Sequence, residues 1–543
     1  MRVKKYIYMK YSKTILILIV IFGLFLRIYN IDSNSLYGDE LTIVQDAYSI
    51  LKTGRDSLGN FMPLTFPMGA GRPAGYVYFS IPFVALFGPN ELGVRMLSIL
   101  SGIGVILLLY LISKKFFSQK IGILAALIAA VTPWEISLSR GGFEAHFALF
   151  LALLGFYFFL KAKETHLFYI FSAICFGLTL HTYPTYKVSL ILLLPLLFWY
   201  QSMKSEFGKR SRDFFLGVLI FIILGILALT QTFTGASEKR FSDINIFARN
   251  DLNQSIEQKV NLERTISNLP SNISQYFHNR PVEYSKVLLE NYLQNFSLDF
   301  LVIHGDGNPR HNMATMGGVY LTEFILFLIG LITFWQKQKK VLIMLIFWLL
   351  IAPIPTAIVE MPHGLRSSFM LPPLMIISAL GLTSIIEIRN KVLLSFLAII
   401  FLVQFIFFIQ KLYFLAPSEY SQFWSYPAKL ASEIALKEKN NFKYIILSDQ
   451  IDNLEFAYPV YAKIDPKIVT LQNQKKSNLG KYQLKQFDNV YIGYIPEGET
   501  EDFVDNLDGG VLYIGSPKQK FLDNFEIIKG KNESEALILK RKQ

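Results

Sequence analysis

The sequence predicts an all-helical polytopic membrane protein that ends in a small α/β unit. Composition is the first reason. Of 543 residues, 52% are hydrophobic and only 17% charged, with mean hydropathy +0.37, where ordinary soluble chains carry about 25% charge. That composition excludes a water-soluble globular protein and intrinsic disorder alike. The second reason is spacing. Apolar runs of about 17–25 residues, long enough to span a bilayer, lie near 14–31, 92–112, 121–138, 143–160, 167–183, 186–200, 214–230, 317–335, 341–358, 368–386 and 392–410, eleven in all. The third is charge alternation between the runs.

The net charge of +12 invites a nucleic-acid reading until its location is mapped. The N-terminus and segments 113–120, 161–166, 201–213, 336–340 and 387–391 carry 19 Lys/Arg against 4 Asp/Glu. Segments 231–316 and 412–543 carry 8 against 9 and 17 against 18. A basic excess confined to one set of connectors is the positive-inside pattern, so nucleic acid loses its support. The N-terminus (Arg2, Lys4, Lys5, Lys10, Lys13) is then cytoplasmic, and eleven spans place the C-terminus outside a plasma or inner membrane. Bulky Leu26-Arg27-Ile28-Tyr29 offers no small-residue cleavage site, so the first run reads as a retained span.

Two units follow: a transmembrane unit over 1–411 and a soluble extracytoplasmic unit over 412–543. The first outer loop, 32–91, is predicted to hold a surface helix over Glu40–Lys52 stopped by Gly54, and an apolar stretch Ala74–Phe87 too short to span. A large outer loop covers 231–316. In the tail, a helix over Ala428–Lys439 and strands at Tyr444–Leu447, Val490–Ile495, Val511–Ile514, Phe525–Ile528 and Ala536–Leu539 suggest the α/β fold.

The chemistry-bearing residues gather at the outer ends of the runs. Gly38-Asp39-Glu40 follows the first span, and Ser139-Arg140-Gly141-Gly142-Phe143-Glu144-Ala145-His146 opens the fourth. Arg72-Pro73, Lys187, Asn308-Pro309-Arg310-His311 and Pro362-His363-Gly364-Leu365-Arg366 fall in outer segments. Taken singly, each has a bland reading: Asp39 as a helix N-cap, Glu40 and Glu144 as first-turn acids favoured by the helix dipole, the arginines as interfacial anchors. Collected on one face, they mark a site at the membrane boundary. Adjacent helical residues point about 100° apart, so at most one of Asp39 and Glu40 faces a central cavity. Asp39, Glu40, Glu144, His146, His311 and His363 could supply oxygen and nitrogen ligands, but no three share one element. A divalent metal is left open, no other cofactor is assigned, and a nucleotide sugar is not needed. Cys175 reads as a packed apolar residue and His181 as a hydrogen-bonded structural one. Gly305-Asp306-Gly307 is too sparse to be a phosphate loop.

Arg27-Ile28, Gly38-Asp39-Glu40, Arg72-Pro73-Ala74-Gly75-Tyr76, Leu86-Phe87-Gly88, Arg95 and Ser139-Arg140 with Glu144 resemble the polytopic GT-C glycosyltransferases. Protein O-mannosyltransferases and lipid A aminoarabinose transferases are the nearest in pattern. The resemblance covers residues 14–230 well and continues in topology through the eleventh run. It implies a polyprenyl-phosphate-linked sugar donor, with Asp39 as the first-loop acid at the reaction centre, Glu40 beside it and Glu144 as the second outer acid. It places Arg72 at the position of a basic residue before proline that is lysine in the lipid A relatives. The chain lacks the β-trefoil insertion of eukaryotic mannosyltransferases and the Trp-Trp-Asp motif of oligosaccharyltransferases.

Phosphate is a good leaving group, so transfer from such a donor needs little general acid. It needs a base for the acceptor hydroxyl and cations for the phosphate. Asp39 is the expected base, Glu144 its helper, and Arg72, Arg140, Arg366, His363 and Lys187 the expected phosphate contacts. Asn308, Arg310 and His311 form a candidate substrate loop. The expected function is inverting transfer of mannose or another sugar to an extracytoplasmic protein, lipid or polymer. The rivals are a lipid or solute transporter, disfavoured because the acids lie at span ends and no two related halves are visible, and a polyprenyl-diphosphate-dependent polysaccharide polymerase or ligase.

Overall fold

A computed structural model describes residues 2–67, 71–202, 212–233, 246–359, 361–519 and 523–543. Every one of the eleven apolar runs contains a helix. The first seven helices are α1 (Arg2–Ile28), α2 (Gly38–Thr53), α3 (Gly75–Phe87), α4 (Glu91–Phe116), α5 (Gln119–Val131), α6 (Pro133–Arg140) and α7 (Glu144–Lys161). Six helices among the described residues are long and apolar enough to cross a membrane, or seven if α5 and α6 count as one bent span. The runs at 167–183, 186–200 and 317–335 emerge as shorter apolar helices. The chain is a multi-pass membrane protein.

Pro133 explains the break between α5 and α6. Proline lacks a backbone N–H and disfavours helix at the preceding residue, so α5 stops at Val131 and α6 restarts with Pro133 in its first turn, bent by 59°. After the turn, α6 delivers Arg140 and the Gly141-Gly142 link to the start of α7.

Burial sorts the helices into a centre and a rim. The most apolar stretch of Ser368–Ile388 is 89% buried, while that of Lys391–Glu419 is 6% buried. The central helix Leu371–Ile388 crosses Leu321–Phe334 at two glycines. A Cβ on Gly381 would lie 1.8 Å from the Leu326 carbonyl oxygen, and one on Gly330 2.1 Å from that of Ile377. Only hydrogen permits that approach, which is how helices without a hydrophobic drive to associate gain packing contact.

The C-terminal segment folds as an α/β unit. Its strands are Tyr444–Ser448, Ser477–Leu479, Tyr482–Phe487, Val490–Gly493, Val511–Gly515, Phe525–Lys529 and Glu535–Lys542, numbered β3–β9 after the short hairpin strands β1 (Thr65–Phe66) and β2 (Arg72–Pro73). The sheet order is β4-β5-β6-β3-β7-β9-β8, with β3 parallel to both β6 and β7 and the outer pairs antiparallel. The five strands read from sequence are all present. The two missed ones, β4 and β5, are polar at several positions and alternate too weakly to stand out.

This unit shares a core with the first loop. Leu36, Leu41, Ile43 and Val44 pack in one cluster with Ala428, Leu447, Leu454 and Tyr458. The helix expected to lie on an open surface is therefore enclosed: α2 buries ten residues between bundle and tail, and ends as expected on Gly54 at φ 72°. Lys429 and Tyr461 of the tail both reach Glu91 at the start of α4, at 2.9 and 3.1 Å. Lys531 donates to the Ser33 carbonyl at 2.6 Å. The tail's position thus fixes the first loop against the bundle.

Candidate active site

Asp39 stands in the first turn of α2, where the helix dipole favours an acid. Tyr37, not Asp39, is the N-cap residue, without a side-chain cap bond. The Asp39 carboxylate is 57% exposed and its Oδ1 lies 2.7 Å from Arg72 Nη2. Arg72, on β2 and 3% exposed, directs Nε to Glu144 Oε1 at 2.5 Å and Nη1 to Thr42 Oγ1 at 2.8 Å. Glu144 is 13% exposed. One buried guanidinium thus clamps two carboxylates that are 105 residues apart in sequence, and the trio carries a net negative charge. Its hydrogen-bonding edges are largely spent on protein, so Arg72 holds the acids in place.

Glu40 is a correction to the sequence reading. Pointing away from Asp39, it is 0% exposed and forms a two-point pair with Arg95, Nε to Oε1 at 2.7 Å and Nη2 to Oε2 at 2.6 Å. Gly142 N–H adds a third bond at 2.7 Å. Arg95 also donates to the carbonyls of Ile31, Asn34 and Ser35. Glu40 is a structural anchor, closed to substrate.

Arg140 is the second correction. It is buried, donates to the carbonyls of Leu26 and Arg27 in the last turn of α1 and of Tyr29 and Asn30 just after it, and lies 4.9 Å over the Tyr413 ring. Those carbonyls are the orphan acceptors of a helix end, so Arg140 serves as a C-cap and not as a phosphate contact. His146 likewise leaves the ligand list: fully buried, it lies 3.1 Å from both oxygens of Glu135, which also faces Arg27 at 3.6 Å. Lys187 donates to the Ala228 carbonyl at 3.0 Å, linking two neighbouring helices. His181 has carbonyl oxygens 3.0 Å from each ring nitrogen, and Cys175 is buried, as expected.

A second cluster lies across an aromatic layer. Tyr37 packs on Phe143 at 6.1 Å, and Phe143 edges His311 at 5.8 Å. Burial and the charges of Asp39, Glu40 and Glu144 push the Tyr37 phenol well above its ordinary range. Arg310 stacks over Tyr37 at 5.1 Å and donates Nε to the Phe423 carbonyl at 2.5 Å. Asn308 shapes this turn, its Oδ1 accepting from Arg310 N–H at 3.0 Å. His311 lies 3.0 Å from Asp306, and His363 approaches the same carboxylate at 3.9 Å. Arg366 is close enough to His363 for its charge to be felt there. Burial alone would raise the Asp306 carboxyl, but the His311 hydrogen bond and the two imidazoles bring it down to about 2. Asp306 and His363 line an open cavity of about 900 Å³ together with Arg249, Asn308 and Pro362. The sequence reading missed Asp306, whose setting between two glycines looks like a plain turn.

Asp46, two turns beyond Asp39, supplies a pH test of the enclosed helix. Burial raises its carboxyl to about 6, opposed by hydrogen bonds from Ser57. An acid raised on folding contributes stability that is complete below its unfolded value, about 3.9, and is lost as pH rises through about 6. The loss at full ionisation is at most about 3 kcal/mol. Thermal melts of detergent-solubilised protein between these limits and neutral pH should therefore show wild type losing stability relative to Asp46→Asn; parallel profiles would contradict the enclosure.

The dolichyl-phosphate-mannose-protein mannosyltransferase family matches residues 72–229, which include Arg72 and Glu144. Among solved structures, ArnT from Cupriavidus metallidurans bound to undecaprenyl phosphate is similar at 12% identity and TM-score 0.52, over 96% of this chain and 97% of that one. The archaeal oligosaccharyltransferase AglB from Archaeoglobus fulgidus, in complex with an inhibitory peptide and a dolichol-phosphate, is 14% identical over 84% of this chain, at TM-score 0.48. The chain spans 64% of that protein's length. No curated protein sequence matches the chain. The family match over residues 72–229 and the near end-to-end likeness to ArnT show that this chain shares the fold of that membrane glycosyltransferase structure.

Proposed function

We propose that the protein is a glycosyltransferase that moves a sugar from a polyprenyl-phosphate donor to an extracytoplasmic acceptor. The observation that carries this reading is the open Asp39 carboxylate, held beside Glu144 by the buried Arg72. Asp39 takes the proton of the acceptor hydroxyl as oxygen attacks the sugar's anomeric carbon, and the bond to phosphate breaks with the electron pair leaving on the phosphate. One displacement inverts the centre. Glu144 orients the acceptor, and Arg72 positions both acids.

Cations must meet the departing phosphate. Arg310 is the best placed, stacked on Tyr37 and therefore adjacent to the residue that leads into Asp39. His363 lines the neighbouring cavity, and Arg366 is close enough for its charge to be felt there. A lipid-linked donor suits a site at one end of a helical bundle, because the prenyl chain stays in the bilayer while the head group reaches the acids. The undecaprenyl phosphate bound to the similar ArnT structure supports that donor class. The placement of the tail and the site outside the membrane, with a cytoplasmic N-terminus, rests on the loop charge pattern.

The test is to incubate purified protein with a panel of polyprenyl-phosphate sugars and candidate acceptors and to follow sugar release by mass spectrometry. Release from at least one monophosphate donor, absent with Asp39→Asn, is the expected result. Turnover of diphosphate donors alone would favour a polymerase or ligase.

A further inference from the structure

We propose that Asp306, His311 and His363 form a divalent-metal site of the zinc type, separate from the Asp39 acids and opening on the cavity beside them. The three residues come from two loops that are more than fifty residues apart in sequence, yet one ligand atom of each lies within 4.8 Å of the others. Zinc held by imidazole nitrogen and carboxylate oxygen sits about 2.0–2.1 Å from each ligand, so tetrahedral ligands are about 3.4 Å apart. Asp306 Oδ2 lies 3.0 Å from His311 Nδ1 and 3.9 Å from His363 Nδ1. Those separations bracket the required one, and the imidazole rings lie 4.4 Å apart, centre to centre.

The scaffold around the three residues is built to hold them. Gly364 N–H donates to Asp306 Oδ2 at 2.6 Å and Asn308 N–H to Oδ1 at 2.8 Å. Trp134 Nε1 anchors the Gly364 carbonyl at 2.8 Å, tying the His363 loop to α6. Leu365 N–H donates to His363 Nδ1 at 3.2 Å, a bond that a metal on that nitrogen would replace. Gly305 turns the chain at φ 76°, where a Cβ would meet Asn312 Nδ2 and the Met316 carbonyl oxygen, each at 2.6 Å. Asn312 in turn donates to the carbonyls of His304 and Asp306. The outer bonds to ligand residues are the kind that fix orientation around a metal.

Two imidazoles and one carboxylate leave a coordination position for solvent or an anionic oxygen, as in zinc sites that bind substrate. Side-chain exposures of 9%, 10% and 17% for Asp306, His311 and His363 put the group at the cavity wall, partly shielded from water yet reachable. No thiolate contributes, which disfavours the softest metals, and two imidazoles disfavour calcium and magnesium. A bound ion would also staple the 299–316 segment to the loop ahead of the central helix Leu371–Ile388.

The test uses untagged full-length protein in detergent, stripped with chelator, reloaded with zinc chloride alone and desalted. Elemental analysis should find about one zinc per chain, and X-ray absorption two imidazole ligands at the distances above. Asp306→Asn and the double variant His311→Ala/His363→Ala should each lower retained zinc at least about tenfold. Asp39→Asn should retain it in full, so the outcome does not depend on the glycosyltransferase reading. Gel filtration and circular dichroism identify any variant that fails to fold; absorption spectra of the wild-type protein alone then decide. Wild type that holds no zinc, zinc without imidazole ligands, or variants that keep it all would each overturn the site.

Discussion

Replacing Asp39 by asparagine should lower transfer by about 10²–10⁴-fold, the usual contribution of a general base, while leaving the fold intact. The amide keeps the size of the side chain and an oxygen to accept from Arg72, now 2.7 Å away. It removes the capacity to take a proton. Because the carboxylate is 57% exposed, its loss strands no buried charge except where Arg72 faces it, and Glu144 still pairs with that guanidinium at 2.5 Å. Thermal melts should match wild type and donor binding should persist, with the deficit falling on the turnover rate. Wild-type turnover in Asp39→Asn would remove the base assignment; a collapsed melt would mean the Arg72 clamp needs both acids.

Arg95→Ala should be the most destabilising of the single changes considered, by about 3–5 kcal/mol, the range for breaking a buried pair from one side. It leaves Glu40 charged and wholly enclosed, with only the Gly142 N–H as partner. It also orphans the carbonyls of Ile31, Asn34 and Ser35, which shape the turn leading into α2. The melting temperature should fall by several degrees, and activity should fall with it because Asp39 loses its footing. Changing both partners to apolar residues, Glu40→Leu with Arg95→Met, should recover part of the stability, since that removes the stranded charge. A wild-type melt for Arg95→Ala would show that Glu40 is not the anchor described above.

These two adjacent acids show where sequence reasoning reaches and where it stops. Gly38-Asp39-Glu40 stood out because charge at the end of an apolar run is costly and therefore informative. Helical geometry said that the two side chains diverge. It could not say which one faces open space, because the partner that claims Glu40 is 55 residues away on another helix. Arg140 failed for the same reason: its carbonyl partners lie more than a hundred residues earlier, and a lone arginine near an interface looks alike whether it caps a helix or binds phosphate. Asp306 was missed because its histidine partners are five and 57 residues distant, spacings that match no single-element motif. The eleven apolar runs were legible because bilayer thickness writes itself directly into run length. The short helices at 168–180 and 321–334, and the bend at Pro133, depend on neighbours that fill the space around them.

The sequence by itself determined the membrane class, the helical runs, the α/β character of the tail and the clustering of charge toward one face. All of these follow from local hydropathy, periodicity and loop charge, which act over a turn or a strand. Only the tertiary structure decided that α2 is enclosed by the tail, that Arg72 joins Asp39 to Glu144, that Glu40 and Arg140 are anchors, and that Asp306 meets two histidines. Ion pairing and hydrogen bonding fall off within a few ångströms and ignore chain order, so nothing short of the packed chain could assign them.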